Sequence, residues 1–289
     1  MTGGRDRVTA ATELRVDTPF GELTALQWGD ADAPPLLALH GWLDNAASFT
    51  RLAPLLAGQR RVIALDMPGH GHSVHLPERV PRYHIVDQVC VLQAAADALG
   101  LERFDLLGHS LGAGIASLAA AAIPARIRKL ILIEGLGPLA DEGSQTVPRW
   151  RGAHARPANG QRRPRVFASL DDAVAARVAA GGVDADEARP IVARNLQEIA
   201  GGHVWRSDPR LRLATPLRIA ESQVRRLLGG IEAATLLLLA EPATPYLPTV
   251  LMDARVAHVT DIRVERLDGP HHLHIRRPRE VARAILDFL

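Results

Sequence analysis

One cysteine, Cys90, stands in the whole chain, so no internal disulfide can form. Lysine is as scarce: Lys129 is alone among the arginines. An arginine keeps its proton, so a Schiff-base or lysine-base mechanism has almost nowhere to sit. Acidic and basic side chains nearly cancel, at a formal net charge of +2, and no global field for nucleic acid follows from that. Long apolar runs are missing too: Pro124, glycines or charges interrupt every stretch that approaches membrane-spanning length. Residues 1–12 are polar and lack the apolar segment of a signal peptide, so the expectation is a soluble, cytoplasmic protein that uses no membrane.

What the chain does have is core. At 289 residues and 47% hydrophobic content it suits one large α/β domain with room for an insertion. Alternation at 14–16 and 23–28, around Pro19-Phe20-Gly21-Glu22, predicts an antiparallel hairpin, with residues 1–11 a loose tail before it. Short apolar runs at 36–39, 62–65, 104–107, 130–133 and 235–239 read as strands buried on both faces, and 262–267 as a further strand. Helical spacing recurs between them. Val86, Val89, Cys90, Gln93, Ala96 and Leu99 form one such face, which puts Cys90 in the core. Others lie at 113–122, within 253–259 and at 280–289. Strands alternating with helices mean a mostly parallel sheet. The alternation stops after Pro138: residues 141–165 are polar and rich in Arg, Gly and Pro, and 170–228 are helical in period with no clear strand. The expected layout is a core at 12–137 and 232–289 with a helical cap at 138–231.

The chain is organised around Gly108-His109-Ser110-Leu111-Gly112, between an apolar strand and a small-residue helix. That is a G-x-S-x-G nucleophile elbow in the context the motif demands. Gly108 and Gly112 keep the turn tight, since a Cβ at either collides with the neighbouring backbone. In open parallel sheets, ligands bind beyond the carboxyl ends of the strands. There stand His40-Gly41-Trp42, Asp66, Ser110, Glu134, Glu241 and the cluster His271, His272 and His274. A serine needs a base within reach, and a histidine base needs an acid behind it.

Four segments together make the chain resemble an α/β-hydrolase from end to end: His40-Gly41-Trp42, residues 66–73, Gly108 to Gly112, and Gly269-Pro270-His271. Within that superfamily, His40-Gly41-Trp42-Leu43-Asp44-Asn45 and the histidine-rich end before Pro278 look most like the serine hydrolase-like proteins. The resemblance implies a core plus cap and hydrolysis without metal or other cofactor. It makes Ser110 the nucleophile, the N–H groups of Trp42 and Leu111 the oxyanion hole, and His271 the base, because Gly269-Pro270-His271 and Pro278 fit the family frame. Asp66 braces the loop after its strand. His40, Gly41, His109, His272 and His274 are expected to line the cleft, with His40 also able to brace its loop, and His70 and His72 to lie at a loop surface. A zinc site at His271, His272 and His274 is disfavoured by their i, i+1, i+3 spacing and the lack of an adjoining Cys or carboxylate.

The acid is less plain. The family commonly carries Gly-x-x-Asp after the strand at 235–239, but this chain reads Ala240-Glu241-Pro242-Ala243-Thr244-Pro245. Two candidates are open: Glu241, and Glu134, at a position some relatives use. Glu134 is favoured, because the run Leu130 to Ile133 carries it straight to the cleft edge, where a buried carboxylate needs a partner. A serine–histidine dyad with both glutamates structural is the third option.

The expected function is hydrolysis of a small-molecule carboxylic ester or related acyl compound through an acyl-enzyme. Ser110 argues against epoxide hydrolases and haloalkane dehalogenases, which carry Asp at the elbow. C–C bond hydrolase, lactonase and cofactor-free haloperoxidase-like activities stay open, as does a non-catalytic ligand-binding homologue. Arg149, Arg151, Arg156, Arg162, Arg163 and Arg165 read as a solvated face, or as an attractor for an acidic substrate.

Overall fold

A computed structural model describes residues 10–155 and 165–289. Most of the expected tail, and Arg156, Arg162 and Arg163, lie outside the described residues.

The strands are β1 (Thr12–Thr18), β2 (Gly21–Trp28), β3 (Pro35–Leu39), β4 (Arg61–Leu65), β5 (Phe104–His109), β6 (Ile127–Ile133), β7 (Leu196–Ile199), β8 (Gly202–Trp205), β9 (Ala234–Glu241) and β10 (Ile262–Asp268). Eight of them form one sheet in the order β1-β2-β4-β3-β5-β6-β9-β10. β1 and β2 make the antiparallel hairpin, β2 runs antiparallel to β4, and every later neighbour is parallel.

The continuous apolar runs are explained by burial on both faces, since successive side chains point to opposite sides. Leu37, Leu39, Ile63, Leu65, Leu106, Leu130, Leu132, Leu237 and Leu239 pack on one side. Their neighbours Leu36, Ala38, Val62, Ala64, Leu107, Ile131, Ile133, Leu236 and Leu238 pack on the other. The first side is covered by α2 (Asp87–Ala98), α3 (Leu111–Ala122), α7 (Glu221–Leu228) and α8 (Thr249–Val256). The second is covered by the 3-10 turn Ala46–Phe49, α1 (Ala53–Leu56) and α10 (Pro278–Phe288), with α9 (Leu273–Arg276) before it.

Parallel strands share one carboxyl edge, so His40, Asp66, Ser110 and Glu134 emerge together. The crossover from β3 leads to β4 on one side, and the next, from β4, returns past β3 to β5 on its other side. Ser110 therefore stands at the switch point, where a parallel sheet opens a crevice.

Between β6 and β9 lie α4 (Thr146–His154), α5 (Leu170–Ala179), α6 (Ala185–Asn195) and α7. This insertion is not purely helical: β7 and β8 pair as an antiparallel hairpin, extended by a bridge from Phe167 to His203. Leu196 to Ile199 carries only weak alternation, which hides the strand in the sequence. A small core of Phe167, Val174, Ile191 and Val192 holds the insertion, and Ile275 from α9 completes it.

The face of α2 differs from expectation. Gln88, Val91, Leu92, Ala95 and Ala96 are buried, whereas Val86, Cys90 and Gln93 are exposed. Apolar residues encircle this helix, so their period alone does not select the sheet-facing side. Residues 253–259, expected as part of a helix, belong to one that runs from Thr249 and ends at Val256, before the last three of them.

Candidate active site

Ser110 follows the last residue of β5 and precedes the first of α3. Its φ of 53° and ψ of −112° are strained for a residue with a Cβ. The turn is pinned by Ser110 N–H donating to Ile133 O (2.9 Å) and Gly112 N–H to His40 O (3.1 Å). A Cβ on Gly108 lies 2.3 Å from Gly112 O, and one on Gly112 lies 2.2 Å from Leu39 O, so only glycine fits at either place. Among the described residues three non-glycines have positive φ: Leu43 (61°), Ser110 and Glu134 (55°). All three stand at the same sheet edge. Such strain persists only where the surroundings over-determine it, and it concentrates at functional sites.

Glu134 caps β6 and is 2% exposed. Its backbone N–H donates to Leu238 O (2.9 Å), which turns the side chain across β9. Oε1 accepts from Ala240 N–H (2.5 Å), and Oε2 from Thr244 Oγ1 (3.3 Å) and His271 Nδ1 (2.9 Å). A buried carboxylate needs such donors to offset its lost hydration. Glu241 is exposed; its backbone carbonyl accepts from Gly269 N–H (3.2 Å), and its side chain makes no hydrogen bond among the described residues. The chain thus brings together Glu134 and His271, and leaves Glu241 outside.

The Glu134 contact puts the His271 proton on Nδ1. Nε2 has no hydrogen-bond partner among the described residues, and Ser110 Oγ likewise has none. Tyr246 meets the His271 ring edge-on at 5.1 Å. Burial, with the Glu134 charge nearby, pushes the Tyr246 phenol up to about 12.

The N–H of Leu111 is the first of α3 and has no carbonyl to pair with inside the helix. The N–H of Trp42 also lacks a partner among the described residues. The Trp42 indole is half exposed and donates to Leu211 O of the insertion (3.0 Å). Gly41 is required by close approach: a Cβ there lies 2.9 Å from His109 Nδ1.

His40 has no exposed surface, so it lines no open cleft. Met67 N–H donates to its Nε2 (3.1 Å) and its Nδ1 donates to Gly41 O (2.8 Å), which ties the loops after β3 and β4 together. Burial pushes the His40 pKa down, so the ring is a neutral brace. His70 is buried as well, contrary to expectation, because it packs edge-on to His40 at 4.8 Å and accepts from Leu43 N–H (3.3 Å). Burial and the His40 ring hold it down to about 3. His72 lies nearer the surface, with Nδ1 3.0 Å from Glu13 Oε2. Asp66 accepts from Thr24 Oγ1, Ala46 N–H, His72 N–H and Arg194 of the insertion.

His109 and His274 are fully enclosed too, behind this sheet edge, with ring centroids 4.2 Å apart. His274 stands on α9, not on a loop. Burial lowers His109 well below the usual imidazole range, and burial with repulsion from His272 holds His274 down to about 3. His109 Nε2 donates to His271 O (3.1 Å). His272 turns away from Glu134 and puts Nε2 3.2 Å from Asp44 Oδ2. Among the described residues no group of three His, Cys, Asp or Glu side chains is arranged to hold a metal ion, and no helix is long and apolar enough to cross a membrane.

Sequence reasoning assigned no role to Asp44, Thr244, Tyr246, Arg177 or Arg194. Asp44 had a signal, its place in His40-Gly41-Trp42-Leu43-Asp44-Asn45; the others gain meaning only from the fold. Of the arginine run, Arg149 pairs with Asp141 (3.1 Å) and Arg165 stacks over Phe167 (4.8 Å).

A family model described as the alpha/beta hydrolase fold matches residues 34–211. A serine hydrolase-like protein of Danio rerio is 31% identical over 97% of this chain and 89% of its own length. The structure of a hypothetical protein from Pseudomonas aeruginosa superposes with a TM-score of 0.86 at 38% identity, covering 96% of this chain and 98% of that one. A thioesterase domain from a curacin biosynthetic pathway gives 0.83 at 25% identity, covering 96% and 99%. With that match, and with the elbow at the switch point of its sheet, the chain belongs to the α/β-hydrolase family and has serine hydrolase-like proteins among its relatives.

Proposed function

We propose that the chain is a serine hydrolase acting on a small carboxylic ester or related acyl compound through a Ser110–His271–Glu134 triad. Ser110 Oγ attacks the carbonyl carbon while His271 Nε2 takes its proton. Glu134 holds the ring in the Nδ1–H tautomer and stabilises the imidazolium that forms. The N–H groups of Trp42 and Leu111 receive the oxyanion, where each such donor contributes about 3 kcal/mol in comparable enzymes. His271 then protonates the leaving group, and water attacks the acyl-enzyme with the same base. No cofactor is needed for these steps. The insertion within residues 138–231 supplies a cap that selects the acyl compound, while its last helix, α7, packs against the sheet.

The observation that carries this reading is the 2.9 Å contact of His271 Nδ1 with the buried Glu134, beside a serine in a strained elbow. The decisive experiment pairs hydrolysis of a short p-nitrophenyl ester with labelling by a fluorophosphonate probe. Wild type should turn over the ester and take the label, and Ser110→Ala should do neither. Ester turnover undiminished in Ser110→Ala would refute the assignment.

A second reading, a non-catalytic ligand-binding homologue, is favoured by one fact: no hydrogen bond links Ser110 Oγ to His271. Catalytic hydrogen bonds are often long before substrate binds, so the fact weighs little. An unlabelled Ser110 in the wild-type chain is the outcome that selects this reading.

A further inference from the structure

We propose that Asp44 is a positioning residue that locks the oxyanion turn, the His271 segment and the insertion to one another; this rests on the triad reading above. Asp44 is buried at 3% exposure, yet it carries a carboxylate, and its partners come from two distant parts of the chain. Oδ2 accepts from His272 Nε2 at 3.2 Å, and Oδ1 faces Arg177 Nη2 of α5 at 3.5 Å. Its own N–H donates to Gly41 O at 3.1 Å and closes the turn Gly41-Trp42-Leu43-Asp44, in which Leu43 is held at a φ of 61°. One side chain therefore joins the turn that presents the Trp42 N–H, the residue next to His271, and the insertion.

The insertion holds the same turn from two further points. Trp42 Nε1 donates to Leu211 O at 3.0 Å, and Asn45 Nδ2 donates to Ile191 O at 2.8 Å. Asn45 and Trp42 thus fix the flanks of the turn, while Asp44 fixes its relation to the histidine. An oxyanion donor is useful only where it meets the developing charge, and a misplacement of about 1 Å costs about a hundredfold in rate. A left-handed Leu43 does not hold such a turn unaided, because the conformation is strained for a branched side chain. The buried anion also explains why a second histidine follows His271: His272 supplies the donor that a lone carboxylate requires. Burial pushes the Asp44 carboxyl up, but His272 and Arg177 outweigh it and hold the group well below the usual carboxylate range, so it is charged at neutral pH.

The test uses the full chain with p-nitrophenyl acetate and the fluorophosphonate probe. Asp44→Asn should lower kcat by about tenfold or more and slow labelling of Ser110 in parallel, with KM within about twofold, because only the transition-state donor is displaced. His272→Leu should reproduce that loss, and His272→Gln, which keeps a donor toward the carboxylate, should restore most of it. Asp44→Asn with wild-type kcat, alongside an inactive Ser110→Ala, overturns the role of Asp44 and leaves the triad standing. If Asp44→Asn does not fold, equal wild-type kcat in His272→Leu and His272→Gln overturns it instead. A wild-type chain that takes no label removes the triad reading itself, and the role of Asp44 with it.

Discussion

His271 Nδ1 donates to Glu134 Oε2 across 2.9 Å, although the two residues lie 137 positions apart in the chain. Glu134 extends β6, the strand beside the elbow strand β5, so on the triad reading the acid reaches the base from next to the nucleophile. Glu134→Gln keeps the size of the side chain and removes its charge and its preference for the Nδ1–H tautomer. On the triad reading, kcat should fall by about 10⁴-fold, as for the corresponding acid in serine proteases. Glu241→Gln should stay within about twofold, because its side chain is exposed. Steady-state ester hydrolysis by both variants checks the pair, and the reverse ranking would make Glu241 the acid.

A buried ion pair ties the insertion to the sheet. Arg194 Nη2 lies 2.7 Å from Asp66 Oδ2, with side-chain exposures of 8% and 0%. Burial raises the Asp66 carboxyl, yet the hydrogen bond and charge of Arg194 outweigh it and the net shift is downward. A carboxyl whose folded pKa is depressed stabilises the fold above its unfolded pKa, about 3.9, and that stabilisation disappears as pH falls through the folded value. Arg194→Met should cost about 3–5 kcal/mol at pH 7, since it strands a buried anion. The deficit should shrink below about pH 4 as Asp66 is protonated. Urea unfolding of both proteins at pH 7, 5 and 3 measures it, and a deficit that is constant with pH contradicts the pairing.

Cys90 lies on the solvent side of α2. An aromatic disulfide reagent should therefore titrate about one thiol in the native protein without denaturant. Cys90→Ser should change stability by no more than about 0.5 kcal/mol, because surface substitutions seldom do more. A thiol that reacts only after unfolding would return Cys90 to the core.

Part of this molecule is legible in its sequence. Buried parallel strands announce themselves as unbroken apolar runs, so the sheet and the strand that ends in Glu134 could be read directly. The elbow is readable because backbone contact forces the two glycines that flank its serine. The face of α2 was not, because alanines and valines surround it and only the sheet decides which side is buried. The β7–β8 hairpin was missed because four-residue strands leave too few alternations. The burial of His70 is not legible, because its polarity suggests a surface while its packing partner His40 lies 30 residues earlier in the chain. Asp44 stands in the motif His40-Gly41-Trp42-Leu43-Asp44-Asn45, but its partners are His272 and Arg177, and no local pattern points to either.

The elbow glycines give the most direct test of the geometry. A Cβ on Gly112 meets Leu39 O at 2.2 Å, and that atom is backbone in the middle of the sheet, so it cannot swing aside. Gly112→Ala should lower Tm by roughly 5 °C or more, from about 2 kcal/mol of overpacking, and should abolish ester hydrolysis by displacing Ser110. Gly152 is the control. It lies inside α4, a Cβ there has nothing within 4 Å, and alanine favours a helix over glycine by about 0.5–1 kcal/mol. Gly152→Ala should hold or raise Tm and keep full activity. Calorimetry and ester assays on the two variants separate a glycine demanded by contact from one that is merely tolerated, and equal effects at both positions would mean that the backbone at the elbow is looser than its contacts imply.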